Sequence, residues 1–161
     1  ADVFPIISQT IDTTDTRYGT SGKWKNQLKD ITGREPMTTM VETEPIGPQK
    51  LLDVMVVAPC TGNTLAKLAN GITDTSVLFS VKAHLRNQRP VVLAVSTNDG
   101  LSMNAKNIGL LLNVKNLFMV PFGQDNPANK PNSLMAKWDL ITGTILEALN
   151  GKQYQPILVA Y

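Results

Sequence analysis

Residues Leu51 to Asp74 read LLDVMVVAPCTGNTLAKLANGITD, a buried strand, a tight polar turn and the start of a helix. Leu51, Leu52, Val54, Met55, Val56 and Val57 form a near-continuous apolar run, the pattern of a parallel strand covered on both faces. Pro59 has no N–H for a ladder, so the strand is expected to stop there. Thr61 and Gly62 supply a small, permissive turn. Asn63 suits the N-cap, with Leu65, Leu68, Ala69 and Ile72 following on one helical face. In an open α/β sheet, ligands sit in the crevice outside the carboxyl ends of the strands. A polar, glycine-containing turn that opens a helix there can hold a flat or anionic ligand with backbone N–H groups.

The chain of 161 residues fits one domain, 1–161. Its composition, 42% hydrophobic and 17% charged, is ordinary for a globular protein, and a net charge of +2 gives no argument for nucleic acid or membrane surfaces. No apolar run approaches the ~18 residues of a membrane span. One cysteine excludes an internal disulfide and fits a reducing cytoplasm, while one cysteine and one histidine form no metal-ligand spacing.

Upstream, the pattern predicts a strand over Val3 to Ile7 and a polar loop from Gln9 to Arg17. A helix from Ser21 to Ile31 follows, closed by Gly33, and then a short strand around Thr39 to Val41. Downstream, Thr73, Asp74, Thr75 and Ser76 cap a helix whose apolar face is Val77, Leu78, Val81 and Leu85. A buried strand, Pro90 to Val95, ends in Ser96-Thr97-Asn98-Asp99-Gly100. A helix from Ser102 to Leu112 and a strand from Leu117 to Val120 come next, then a long loop through Asn132. Leu134, Trp138, Ile141, Ile145 and Leu149 make one stripe of an expected helix from Ser133 to Asn150. The tail Gln155 to Val159 looks extended. Alternating strands and helices imply an α/β fold with a doubly wound parallel sheet. Ser8 with Thr10, Thr61 to Thr64 and Ser96 to Asn98 then fall at strand ends that converge on one sheet edge, which favours a single shared site.

The turn Pro59-Cys60-Thr61-Gly62-Asn63-Thr64 and the helix that runs on to Ala69-Asn70-Gly71-Ile72-Thr73-Asp74 resemble the signature of a known family. It is the flavoprotein family of FMN-dependent cysteine decarboxylases, whose pattern is Pro, small, Ser, Ala, Asn, Thr and a short helix ending Ala-x-Gly-Ile-x-Asp. Val91 to Met103, Pro121 to Lys137, Gln155 to Val159 and Asp12 to Tyr18 extend the resemblance over the whole chain. It implies a flavodoxin-like (Rossmann-like) three-layer sandwich that assembles as a homo-oligomer, trimer or dodecamer, with FMN near a subunit interface. It places Asn63 and Thr64 at the isoalloxazine ring, Thr61 and Gly62 as backbone contacts, and Pro59 in the same turn. Ser8 falls where the family binds the flavin phosphate, and Ser96, Thr97 and Asn98 fall on the second site turn. The family begins with an earlier strand, turn and helix. The resemblance therefore implies that roughly 30 residues precede Ala1, one crossover unit.

The chain departs from the decarboxylases in having no Trp after Met103 and no clamp cysteine, since Cys60 sits in the turn. The segments beyond the turn resemble members that act on a small dicarboxylate beside a separate Rossmann-type subunit. NAD(P) is expected on that partner, because no GxGxxG occurs here. An FMN-dependent decarboxylase, a flavin-modifying enzyme and a non-catalytic assembly subunit remain as alternatives, and no catalytic acid or base is identified.

Each residue also has a plainer role. Asn63 and Asn98 are ligand contacts or only a cap and a turn former. Cys60 is a thiol near a helix N-terminus or a small buried residue. His84 is expected to face solvent or an interface before it is expected to be catalytic. Lys82, Arg86 and Arg89 grip a dicarboxylate or form a solvated face. Met103 and Met119 contact a cofactor or fill gaps. The Trp138, Ile141 and Ile145 stripe reads as core or interface. The loop Gln124 to Asn132 is long enough to act as a lid or clasp, through Asp125, Asn126 and Lys130.

Overall fold

Alternate residues of one strand, β2 (Val91–Thr97), feed two separate cores. Val91, Leu93 and Val95 point into a larger cluster with Leu65, Val81, Ile108 and Leu111. Val92 and Ala94 point the other way, into a smaller cluster with Phe118, Val120, Ala136 and Ala148. The two-residue period of a strand divides its side chains in this way, and covering both faces explains why Val91 to Val95 are all apolar and buried.

The computed structural model describes residues 1–161. In chain order its helices are α1 (Gln9–Thr13), α2 (Ser21–Thr32), α3 (Met40–Thr43), α4 (Gly62–Ala69), α5 (Ser76–Arg86), α6 (Ala105–Leu111) and α7 (Ile141–Leu149). The other strands are β1 (Met55–Thr61), β3 (Leu117–Met119), β4 (Phe122–Gly123) and β5 (Leu134–Ala136). Leu65, Val81, Ile108 and Leu111 bring α4, α5 and α6 onto one face of the sheet, and Ile141, Ile145 and Ala148 bring α7 onto the other. The result is a three-layer sandwich with a mostly parallel sheet. β1 and β3 flank β2 in parallel, while β5 runs antiparallel to β2 and pairs with β4. None of the helices is long and apolar enough to cross a membrane.

Pro59 does not stop the central strand. Val57 pairs with Leu93 and Cys60 with Val95, so β1 takes one more residue than β2 across this interval. Such a bulge frees one position from the ladder, and a bulge is where a sheet tolerates proline. The extra residue also puts Val57 and Cys60 on the same buried face despite their odd spacing. The helix that follows is capped differently from expectation. Thr61, with extended backbone, is the N-cap residue and makes no side-chain cap bond, so Asn63 lies inside the first turn.

Four other expectations are corrected. The Val3 to Ile7 segment is not a strand, because only Ile6 bridges, to Met37. The Gln9 to Arg17 segment starts with α1, where the Ser8 hydroxyl accepts from the Ile11 N–H at 3.5 Å. Thr39 to Val41 is not a strand either, since Thr39 and Glu42 form a reciprocal capping box that starts α3. The helix expected over Ser133 to Asn150 is split. Leu134 to Ala136 form β5, Trp138 to Leu140 make a 3-10 turn, and α7 begins at Ile141. Pairing with Ser96 and Thr97 on β2 gives Leu134 and Met135 ladder bonds that outweigh their helical spacing. Trp138 is consequently 44% exposed and outside both cores. The α2 helix, α5 and the Gly33 left-handed stop match the sequence pattern.

The tail is extended and bridges Phe122 through Leu158. Gln153 finishes the open edge of β3, accepting from the Met119 N–H and donating to the Met119 carbonyl.

Candidate functional site

The register of the strands gathers the site. Thr61 pairs with Ser96, and Ser96 on its other side pairs with Met135. Two strand ends and β5 therefore form one row at the carboxyl edge of the parallel strands, where α4 begins. Two clefts open there, of about 500 and 470 Å³, and both include Gly62, Thr97 and Asn98 in their walls. Each volume falls in the roughly 300–1,000 Å³ range of small-molecule sites.

The first cleft runs between α4 and α6, and five amides stand in its wall: Asn63, Asn70, Asn98, Asn104 and Asn107. A chain of hydrogen bonds underlies it. The Asp99 carboxylate accepts from the Thr97 hydroxyl and from the Asn104 amide, at 2.9 and 2.8 Å to its two oxygens. Asn104 Oδ1 in turn accepts from Asn107 Nδ2 at 2.8 Å. These donors, first the Thr97 hydroxyl and then the Asn104 amide, hold the Asp99 carboxyl below its ordinary 3.8. Gly62 makes the arrangement possible, because a Cβ there would lie 2.5 Å from Thr97 Oγ1 and 3.0 Å from Asp99 Oδ1.

The second cleft is charged. Arg17, Asp125, Lys130 and Ser133 line it together with Thr61 and Ser96. Lys130 Nζ is 3.6 Å from Asp125 Oδ2. The Ser133 hydroxyl is the main cause holding the Asp125 carboxyl below its ordinary 3.8, with Lys130 a smaller one. Asp125 Oδ1 is buried without a hydrogen-bond partner.

Of the residues singled out in the sequence, Thr61, Gly62, Asn63, Ser96, Thr97 and Asn98 meet in these clefts, as do Met103, Asp125 and Lys130. Ser8, Pro59 and Thr64 line neither. Ser8 caps α1, and Thr64 Oγ1 lies 3.3 Å from Thr61 Oγ1. Asn126 is a turn former, its Oδ1 accepting from the Asn129 N–H. Lys82, Arg86 and Arg89 line neither cleft, and Arg89 donates to the Leu52 carbonyl with Asp53 at 3.5 Å.

His84 does not face solvent. It is 1% exposed, and burial lowers its pKa. Cys60 is wholly buried in the larger core, and burial pushes its thiol up to about 12. A thiol so placed is neither nucleophile nor clamp. The sequence reading missed Arg17, Asp99, Asn104, Asn107 and Ser133 as site residues. One signal for Asn104 and Asn107 was present, because three-residue spacing places both amides on one helical face.

The Flavoprotein family model matches residues 9–150. The dipicolinate synthase B subunit of Bacillus subtilis (strain 168) is 49% identical over 159 residues, covering 99% of this chain and 80% of that protein. A crystal structure of the dipicolinate synthase B subunit from Bacillus halodurans C superposes with a TM-score of 0.91 at 49% identity, over 99% of this chain and 82% of that one. An FMN-dependent cysteine decarboxylase shares the fold alone, with a TM-score of 0.59 at 21% identity over 77% of this chain and 71% of that one. The chain belongs to the Flavoprotein family, and its relatives there include dipicolinate synthase B subunits.

Proposed function

We propose that this chain is the B component of a dipicolinate synthase. In this reading it works with the synthase's A component to oxidise dihydrodipicolinate to pyridine-2,6-dicarboxylate, in the mother-cell cytoplasm of a sporulating bacterium. The observation that carries the reading is the pair of clefts meeting at Gly62, Thr97 and Asn98, one rich in amides with Asp99 and Lys106 of opposite charge, the other with an excess of cations. A planar heterocycle suits the first. Carboxylates suit the second, where Arg17 and Lys130 outnumber Asp125.

FMN is the proposed cofactor, and the residues present fit it. Gly62 lets the backbone of α4 come close to the second turn, and the first turn of α4 has no side-chain cap. Its N–H groups are therefore free to hold a ring carbonyl or an anion. Thr61, Gly62, Asn63, Ser96, Thr97 and Asn98 are the proposed contacts, with Asn63 and Asn98 orienting the ring. Ser8, Pro59 and Thr64, outside the two clefts, are assigned to the cofactor by family resemblance alone. Bound flavin supplies a two-electron acceptor. NAD(P) is assigned to the Rossmann-type A component, and copies of the present chain to a homo-oligomer.

The test is reconstitution. The full-length protein mixed with the A component should form dipicolinate, and either alone should form little. Full activity of the A component alone would remove any catalytic role for this chain. Asn63→Ala and Asn98→Ala should keep the complex between the two components while losing activity. Retained activity in both would make this chain an assembly subunit. The absorption spectrum of the purified protein, with and without added FMN, tests the cofactor directly.

A further inference from the structure

We infer that Asn107 contacts the bound ligand, its Oδ1 accepting a hydrogen bond from an N–H or O–H group of the molecule held in the amide-lined cleft. The identity of that molecule rests on the function proposed above; the polarity of the contact follows from the side chains themselves.

An asparagine amide has a donor end and an acceptor end, and its surroundings decide which faces where. Here the choice is made at Asp99. Its carboxylate is ionised and only accepts, so Asn104 must turn Nδ2 toward it, as it does to both oxygens. Asn104 Oδ1 then faces Asn107 and requires a donor. Asn107 supplies Nδ2 at 2.8 Å. Each amide is fixed by the one before it, and Asn107 Oδ1 is left over at the end of the series. It is buried with no hydrogen-bond partner, on a residue only 5% exposed that lines the cleft.

Buried acceptors in folded proteins are almost always met. Turning Asn107 over would not help, because it would set its oxygen against Asn104 Oδ1. Turning both amides over would set Asn104 Oδ1 against the Asp99 carboxylate. Asn107 lines the cleft while its Oδ1, closed to solvent, is met by no protein donor, so a ligand donor satisfies it once the wall yields enough to admit the contact. Lys106, on the same wall, is a donor but makes no bond to this oxygen. Two ligands of the proposed reaction carry a suitable donor. One is the imide N3–H of a flavin. The other is a ring N–H or hydroxyl of a partly reduced pyridine dicarboxylate.

Paired ligands separate these sources. FMN and N3-methyl-FMN are titrated into the full-length protein and its Asn107→Ala variant, with Asn107→Leu as a second variant and thermal unfolding as a check on folding. If the flavin imide is the donor, N3-methylation weakens binding to the unaltered protein by roughly tenfold, the value of one hydrogen bond to a group otherwise left unmet. The penalty falls below about threefold in the variants. The same titrations with piperidine-2,6-dicarboxylate, which has a ring N–H donor, and pyridine-2,6-dicarboxylate, which has none, test the second source. A preference for the donor-bearing ring that disappears in the variants assigns the contact to substrate. Either result upholds the inference. If the protein binds no FMN, the flavin part of the proposed function falls while the second pair still decides the inference. No discrimination in either pair, or discrimination unchanged by the variants, overturns it.

Discussion

Gly62 and Thr97 approach so closely that a Cβ on residue 62 would lie 2.5 Å from the Thr97 hydroxyl oxygen. The same Cβ would meet Asn104 Nδ2 at 2.9 Å and Asp99 Oδ1 at 3.0 Å. None of these atoms is the free end of a flexible chain, because hydrogen bonds tie all three together. Gly62→Ala should therefore cost about 1–3 kcal/mol, the usual penalty of overpacking. It should also weaken any ligand held by both clefts. Urea unfolding of the variant measures the first effect, and an unchanged midpoint would mean that the contact yields.

Cys60 should be silent to thiol reagents in the native protein. It lies between the bulge of β1 and the start of α4, wholly buried, with its thiol pushed up to about 12. At pH 8 only about one thiol in 10⁴ is ionised, and access is closed as well. A chromogenic disulfide reagent should find no fast-reacting thiol until the chain is unfolded in guanidinium, and then one per chain. Reaction of the native protein within minutes would contradict the buried placement.

His84 should make stability fall in mild acid. Burial is the chief cause of its lowered pKa; the Pro90 carbonyl and Asp53 favour the charged form and offset part of it, while Arg89 opposes the charge. Its Nε2 also has no hydrogen-bond partner. Above the ordinary value of 6.5 both folded and unfolded chains carry it neutral, and it adds no pH dependence. As the pH drops below 6.5 the unfolded chain takes up the proton first, so stability declines by at most about 1.4 kcal/mol per unit until the lower, folded pKa is reached. Unfolding midpoints between pH 7 and 5 should show this slope, and His84→Leu should flatten it. Equal slopes in both proteins would assign the acid sensitivity elsewhere.

The strand-turn-helix from Met55 to Ala69 was legible because its apolar run, its turn and its helical face all agree. Its internal detail was not. Nothing in the alternation of β1 marks Pro59 as a bulge rather than an end, since the bulge is defined by the register of the neighbouring strand. Leu134, Trp138, Ile141, Ile145 and Leu149 have true helical spacing, yet Leu134 is claimed by Thr97 across the sheet, a pairing set by tertiary structure. The site divides in the same way. Asn63 and Asn98 stand at strand ends, where topology alone predicts ligands. Asn104 and Asn107 look like an ordinary polar helix face until Gly62 brings α4 and Asp99 against them. Their role depends on proximity, which spacing does not encode.

The charged cleft offers a test of the dicarboxylate reading that does not depend on flavin. Arg17 and Lys130 face one carboxylate, Asp125, which the Ser133 hydroxyl and Lys130 keep ionised. A bound dianion would gain from the two cations and lose to Asp125. Arg17→Ala and Lys130→Ala should each weaken pyridine-2,6-dicarboxylate by about three- to tenfold, the scale of a partly exposed ion pair. Asp125→Asn should do the opposite. It removes the repelling charge and frees Lys130 from its 3.6 Å partner. Raising the salt concentration should weaken binding to the unaltered protein more than to either cation variant, because screening acts on contacts that those variants have already lost. Calorimetric titration at two ionic strengths measures all four proteins. Tighter binding by Arg17→Ala, or weaker binding by Asp125→Asn, would place the dianion outside this cleft.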